Sequence, residues 1–185
     1  MIKLSTPIKN FTHDDITQHF HKDHKALDIV ENSRKSIYGL PLCAMEDCKI
    51  TRTHRTDGFT PGSRAKLKDG YGLDMTGLET GLKYRYWHVQ PYLPVSKGDI
   101  VKRGQIVAYM GNAGTVRVGG KDVPIEERTE KPYRGTHLHL MVWKNNILTD
   151  PLPLIDFYQL PTYGASAILK AAYATVVKMV RAVGN

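Results

Sequence analysis

From Asp28 onward the chain alternates short apolar runs with turn residues, and this punctuation limits what it can fold into. Sixteen glycines and ten prolines in 185 residues leave little room for long helices and favour short strands with tight corners. Pro41 to Met45 reads as a strand, Glu46-Asp47 as a turn, and Cys48 to Thr51 as the returning strand. Tyr71 to Met75 and Tyr84 to Val89 are further strands, the second rich in aromatic residues that suit a pleated surface. Lys97 to Met110 holds two brief apolar runs between glycine-marked turns. Residues 112–134 are polar and broken by Gly119-Gly120, Pro124 and Pro132, which predicts a long loop or a hairpin excursion. Thr136 to Trp143 is strand-like again, and Asp150-Pro151 with Pro153 closes the β-region.

The two ends differ from this middle. Residues 1–15 form a lead-in with sparse apolar positions, Ile2, Leu4, Ile8 and Phe11. Residues 154–185 form an appendage in which Tyr163 to Val183 is alanine-rich and helical in character. There Ile168, Ala172, Val176, Met179 and Val183 fall on one side, with Lys170, Lys178 and Arg181 near the other. Such a helix docks on its own domain or on a partner subunit, or serves at a membrane surface or in an assembly. The chain thus divides into a lead-in over 1–15, a mainly β domain over 16–153, and a C-terminal α-helical appendage over 154–185.

Charge and cysteine content narrow the functional classes. A formal net charge of +8 draws the protein to polyanions, among them nucleic acid and the acidic polymers of a bacterial wall. No run of five like charges occurs and no aromatic platform alternates with basic residues, so nucleic acid is not expected as the main partner. Two cysteines, Cys43 and Cys48, exclude a four-thiolate zinc site. They read as free thiols near a hairpin, or as a disulfide outside a reducing compartment. Met1 to Asn10 lacks an apolar core of signal-peptide length, and no stretch suits an ordinary transmembrane helix.

The eight histidines carry the chemistry. His137 and His139 flank Leu138, and on a strand residues two apart project to the same face. A catalytic zinc site uses three protein ligands of the nitrogen, sulfur or carboxylate type and keeps one position open. His24 and Asp28 form a His-x-x-x-Asp segment, but His19 and Asp23 have the same spacing. Local context favours His24 with Asp28: Ala26 is small enough for close packing, and Ile29-Val30 anchors the carboxylate on a strand. Asp23 instead precedes His24-Lys25, an exposed-looking stretch. His88 follows Tyr84-Arg85-Tyr86-Trp87 at a strand end, where, taken alone, core packing with one hydrogen bond is the more natural role.

Taken in order, His-x-x-x-Asp, Tyr-x-x-His and His-x-His make the chain resemble the lysostaphin/LytM metallopeptidases over about residues 16–153. Pro41 to Ile50 is similar to the strand-turn-strand after the family's metal loop, Val95 to Gly114 to its turn-rich segment, and Gly135 to Leu140 to its closing strand. The chain departs from the family at Ala26 and Cys48, where glycine is more usual, and at Thr136, where proline or serine is. Its excursion 115–134 is longer than the family's loop there, which bears on substrate specificity because it is expected to line one wall of the groove.

The resemblance implies a compact antiparallel β-sheet or barrel-sandwich metallopeptidase domain. It assigns His24, Asp28 and His139 as ligands of Zn²⁺, and His88 and His137 as the catalytic histidines. It implies an endopeptidase acting on peptide stems or cross-bridges of bacterial peptidoglycan. The missing signal-like segment makes a phage virion or lysis enzyme the expected setting, with virion tail proteins as partners of the C-terminal helix. The alternative is a catalytically inactive wall-binding or virion structural protein of the same fold.

Overall fold

The computed structural model describes residues 3–30, 37–54 and 70–157. The helix read over Tyr163 to Val183 lies outside the described residues. Within them, the expected mainly β, antiparallel architecture is what the chain adopts. The strands in chain order are β1 Ile16–Gln18, β2 Leu27–Ile29, β3 Pro41–Cys43, β4 Cys48–His54, β5 Gly72–Gly77 and β6 Lys83–Trp87. They continue with β7 Ile100–Val101, β8 Ile106–Tyr109, β9 Arg117–Val118, β10 Lys121–Asp122, β11 Leu138–Lys144 and β12 Ile147–Thr149.

The main sheet runs β1-β2-β11-β6-β5-β4-β7, with β12 paired to β11. Its central strands alternate in burial, as a sheet with one dry and one wet face must. Leu138, Leu140, Val142, Tyr84, Tyr86, Leu73 and Met75 point into the core. His139, Met141, Trp143, Arg85, Trp87 and Asp74 lie on the other face, only partly buried. Tyr86 reaches through the core to donate to the Cys43 carbonyl at 2.7 Å, so the small β3-β8 sheet packs over the dry face. The lead-in takes part in the same core, with Leu4, Ile8 and Phe11 at most 2% exposed.

One local reading needs correction, and the hairpin read in the excursion gains a helix. Glu46-Asp47 does reverse the chain, but β3 and β4 are not a hairpin. β3 pairs with β8, while β4 pairs with β5 and β7. Burial goes with this: Cys43 and Cys48 are both fully buried, each serving a different sheet around one core. Burial and the neighbouring Glu46 carboxylate push the Cys48 thiol up to about 12, which keeps it protonated and inert. The excursion, for its part, is a hairpin followed by a helix. Gly119 and Gly120 both have positive φ, 58° and 77°, and join β9 to β10 in a tight turn. The helix Ile125–Glu130 follows Pro124 and opens with Glu126 and Glu127, acidic residues that suit its N-terminal end.

No helix among the described residues is long and apolar enough to cross a membrane. That says nothing of spans made by strands.

Candidate metal centre and histidine site

Strand register creates the site. In β11, His139 is paired with Asp28 of β2 on one side and Trp87 of β6 on the other. Cross-strand partners project from the same face about 5 Å apart, so Asp28 and His139 meet on the wet face. Asp28 Oδ1 lies 2.7 Å from His139 Nδ1 and 3.2 Å from His24 Nε2.

His24 precedes β2 and is set by a tight turn in which His21 and His24 exchange backbone hydrogen bonds. Its Nδ1 donates to the His19 carbonyl at 3.1 Å, which leaves Nε2 as the free ring nitrogen. That atom is buried and makes no hydrogen bond, since with the proton on Nδ1 it cannot donate to the Asp28 carboxylate beside it. An unpartnered buried nitrogen facing a carboxylate is costly in a protein interior unless something else satisfies it. Ala26 is fully buried behind this turn. His19 and Asp23, the pair of identical spacing, have exposed side chains.

His88 and His137 complete the cluster. β6 ends at Trp87, and His88 then adopts φ 62°, a left-handed conformation that an L-residue with a side chain enters only at a cost of about 1 kcal/mol or more. The turn swings the ring beside those of His137 and His139, at centroid distances of 4.6 and 5.6 Å. His88 Nδ1 donates to the Ala113 carbonyl at 2.6 Å, and His137 Nδ1 to the Gly135 carbonyl at 2.9 Å. Both rings therefore keep Nε2 unprotonated, and His137 Nε2 sits 3.7 Å from Asp28 Oδ1.

The electrostatics follow from burial and mutual contact. Burial and then the neighbouring His137 push His88 down to about 3, outweighing the Ala113 hydrogen bond. Burial likewise lowers His137, although Asp28 works against it. Burial works to raise Asp28, but the His139 hydrogen bond and the surrounding imidazoles outweigh it and hold the carboxyl below its usual range. At neutral pH Asp28 is therefore a carboxylate, and His88 and His137 are uncharged imidazoles.

All five residues singled out in the sequence thus come together. Two overlapping triads have ligand atoms within 4.8 Å of one another: His24, Asp28 and His139, and also His88, His137 and His139. The donor chemistry of the first, two imidazoles and a carboxylate, suits a divalent cation such as zinc, and the unpartnered His24 Nε2 fits a position that a metal would fill.

Sequence reasoning missed the residues around this cluster. Asn112, 3% exposed, donates from Nδ2 to the Pro132 carbonyl at 2.9 Å and the Arg134 carbonyl at 3.3 Å. Arg128, 6% exposed, donates from Nη1 to the carbonyls of Asn112 and Gly114. On the wet face Asp74 binds Arg85 and His54, with Arg85 over the rings of Trp87 and Trp143. Pairing of Arg85 with Asp74 could have been guessed only by aligning β5 with β6, and nothing in the sequence signals Arg128.

No curated protein matches the chain. Three solved structures share its fold. One is LytU, at 24% identity and TM-score 0.52, over 77% of this chain and 85% of that one. Another is the SpoIIQ–SpoIIIAH pore-forming complex, at 16% and 0.55, over 92% and 98%. The third is Csd3 of Helicobacter pylori, at 19% and 0.54, over 97% of this chain but 41% of that one. The model of Peptidase family M23 matches residues 22–151, which include His24, Asp28, His88, His137 and His139. The chain belongs to peptidase family M23.

Proposed function

We propose that the protein is a zinc-dependent endopeptidase that hydrolyses peptide bonds of bacterial peptidoglycan, in stems or cross-bridges. The observation that carries this is the convergence of His24 Nε2, Asp28 Oδ1 and His139 Nδ1 beside two further histidines whose Nδ1 atoms donate to backbone carbonyls, leaving Nε2 unprotonated. His24, Asp28 and His139 would hold the zinc. When bound, zinc would supply Lewis acidity, polarising a carbonyl and lowering the pKa of water to about 7.

His88 and His137 do the proton work. Burial keeps them uncharged at neutral pH, so each Nε2 can accept a proton from the attacking water. Once protonated, the same nitrogen can stabilise the oxyanion or deliver the proton to the leaving amine. The Ala113 and Gly135 carbonyls hold each ring in the tautomer this requires. The wall substrate is supported by the resemblance to the lysostaphin/LytM enzymes and by the net charge of +8, which favours approach to an anionic polymer.

The test uses purified protein with measured zinc content and isolated cell walls or cross-linked stem peptides. New amino termini should appear, disappear on chelation and return with zinc. A folded, stoichiometrically zinc-loaded protein that releases none from any wall preparation would sink the proposal.

A further inference from the structure

Arg128 is buried in the helix of the excursion, away from the five histidine-site side chains. Burial works against its charged form, with Glu126 acting the other way, and its Nε has no hydrogen-bond partner. A leucine or methionine would fill such a place at lower cost, so the guanidinium needs a reason. Its Nη1 donates to the Asn112 carbonyl at 2.6 Å and to the Gly114 carbonyl. The carbonyl between those two, that of Ala113, accepts the His88 Nδ1 proton at 2.6 Å. Pinning both flanking carbonyls fixes the planes of the peptides around Ala113.

The segment 111–114 has no slack elsewhere. A Cβ at Gly111 would fall 2.8 Å from the backbone of Val89 and Gln90, directly after His88. The His137 amide donates to the Gly111 carbonyl at 3.3 Å, and the Asn112 side chain ties the segment to Pro132 and Arg134. One strap therefore touches both histidines, and Arg128 is the side chain that grips it from the helix.

We infer that Arg128 is a positioning residue: by holding the Asn112 and Gly114 carbonyls it keeps the Ala113 carbonyl on His88 Nδ1, and so keeps His88 Nε2 unprotonated and aimed at the substrate. The inference rests on the peptidase reading for its consequence, but the geometry can be tested without it. Imidazole nitrogen resonances of isotope-labelled, metal-free protein report the tautomer directly. Wild type should show His88 protonated on Nδ1. Arg128→Met should shift His88 toward a mixture of tautomers. Arg128→Lys keeps the charge but replaces a planar fork by one ammonium, and should shift it less.

In hydrolysis, Arg128→Met should lower kcat about 10- to 100-fold, the scale of a misplaced catalytic group. KM should stay within about twofold and zinc content should be unchanged. A wild-type His88 tautomer in whichever of the two variants folds overturns the inference. If wild type cleaved no wall peptide, the peptidase reading would fall while the spectra still decided the role of Arg128.

Discussion

Two carboxylate–histidine clusters share the wet face of the main sheet, and they are built to opposite ends. Asp74 of β5 is gripped by Arg85, Nε to Oδ1 at 2.7 Å and Nη2 to Oδ2 at 2.8 Å, with His54 Nε2 3.0 Å from Oδ1. Both of its oxygens are used, and Arg85 is further held over Trp87 and Trp143. Among the described residues Asp28 of β2 meets no guanidinium but the rings of His24, His137 and His139, and one of those rings has a buried nitrogen left over. A guanidinium is a permanent cation with no lone pair. It completes a carboxylate and cannot bind a metal. An imidazole next to the same carboxylate can give its lone pair to a cation. What separates a structural ion pair from a candidate metal site here is the one partner that cannot ligate.

The sharpest way to break this comparison is metal analysis across both clusters. His24→Ala and Asp28→Asn should each weaken zinc binding by more than about 100-fold, beyond the effect of removing outer partners, and abolish hydrolysis. Asp74→Asn should retain one zinc per chain. His88→Ala should also retain zinc while kcat falls about 100- to 10,000-fold, the worth of a general acid–base. Emission spectroscopy on dialysed proteins, beside release of amino termini from walls, reads both. Zinc lost in His88→Ala but kept in His24→Ala would move the metal to the triad of His88, His137 and His139.

Much of this site was legible in the sequence because strand geometry is periodic. The i, i+2 rule put His137 and His139 together, although His137 lies just before β11 and not within it. The choice of His24 and Asp28 over His19 and Asp23 drew on Ala26 and Ile29, both fully buried. What stayed hidden depends on pairing between distant segments. Register between β5 and β6 makes the Asp74–Arg85 pair, and the fate of β3 and β4 depends on which sheet each joins. Helix Ile125–Glu130 stayed hidden because Pro124 and the charged residues after it read as loop punctuation, and its grip on the 111–114 strap is a contact no local pattern carries.

A smaller effect tests the Asp74 side. The Arg85 and Asp74 side chains are 30% and 21% exposed, so solvent screens the pair. Exposed pairs contribute up to about 1 kcal/mol, and a change of that size lowers Tm by about 2–4 °C in a chain of this length. Arg85→Ala should show that drop, followed by circular dichroism, with zinc content unchanged. A loss of zinc in Arg85→Ala would mean that the two clusters are coupled through Trp87 and not independent.

The smallest expected effect is on acid stability, and its sign is set by Asp74. Burial works to raise its pKa, but the hydrogen bonds from Arg85 and His54 outweigh that and hold the carboxyl well below the usual range. In the unfolded chain an aspartate titrates near 3.9. The unfolded state therefore takes up a proton before the folded state does. The contribution of Asp74 is fully present above about pH 5 and is lost as pH falls through its depressed folded value. Urea midpoints of the chelated protein between about pH 6 and pH 2 should fall less steeply in Asp74→Asn than in wild type. Asp28→Asn should flatten the same curve, since its carboxyl is also lowered, though by imidazoles alone. Parallel curves for wild type and Asp74→Asn would mean that the Arg85 clasp does not hold in solution, and the contrast between the two clusters would lose its physical basis.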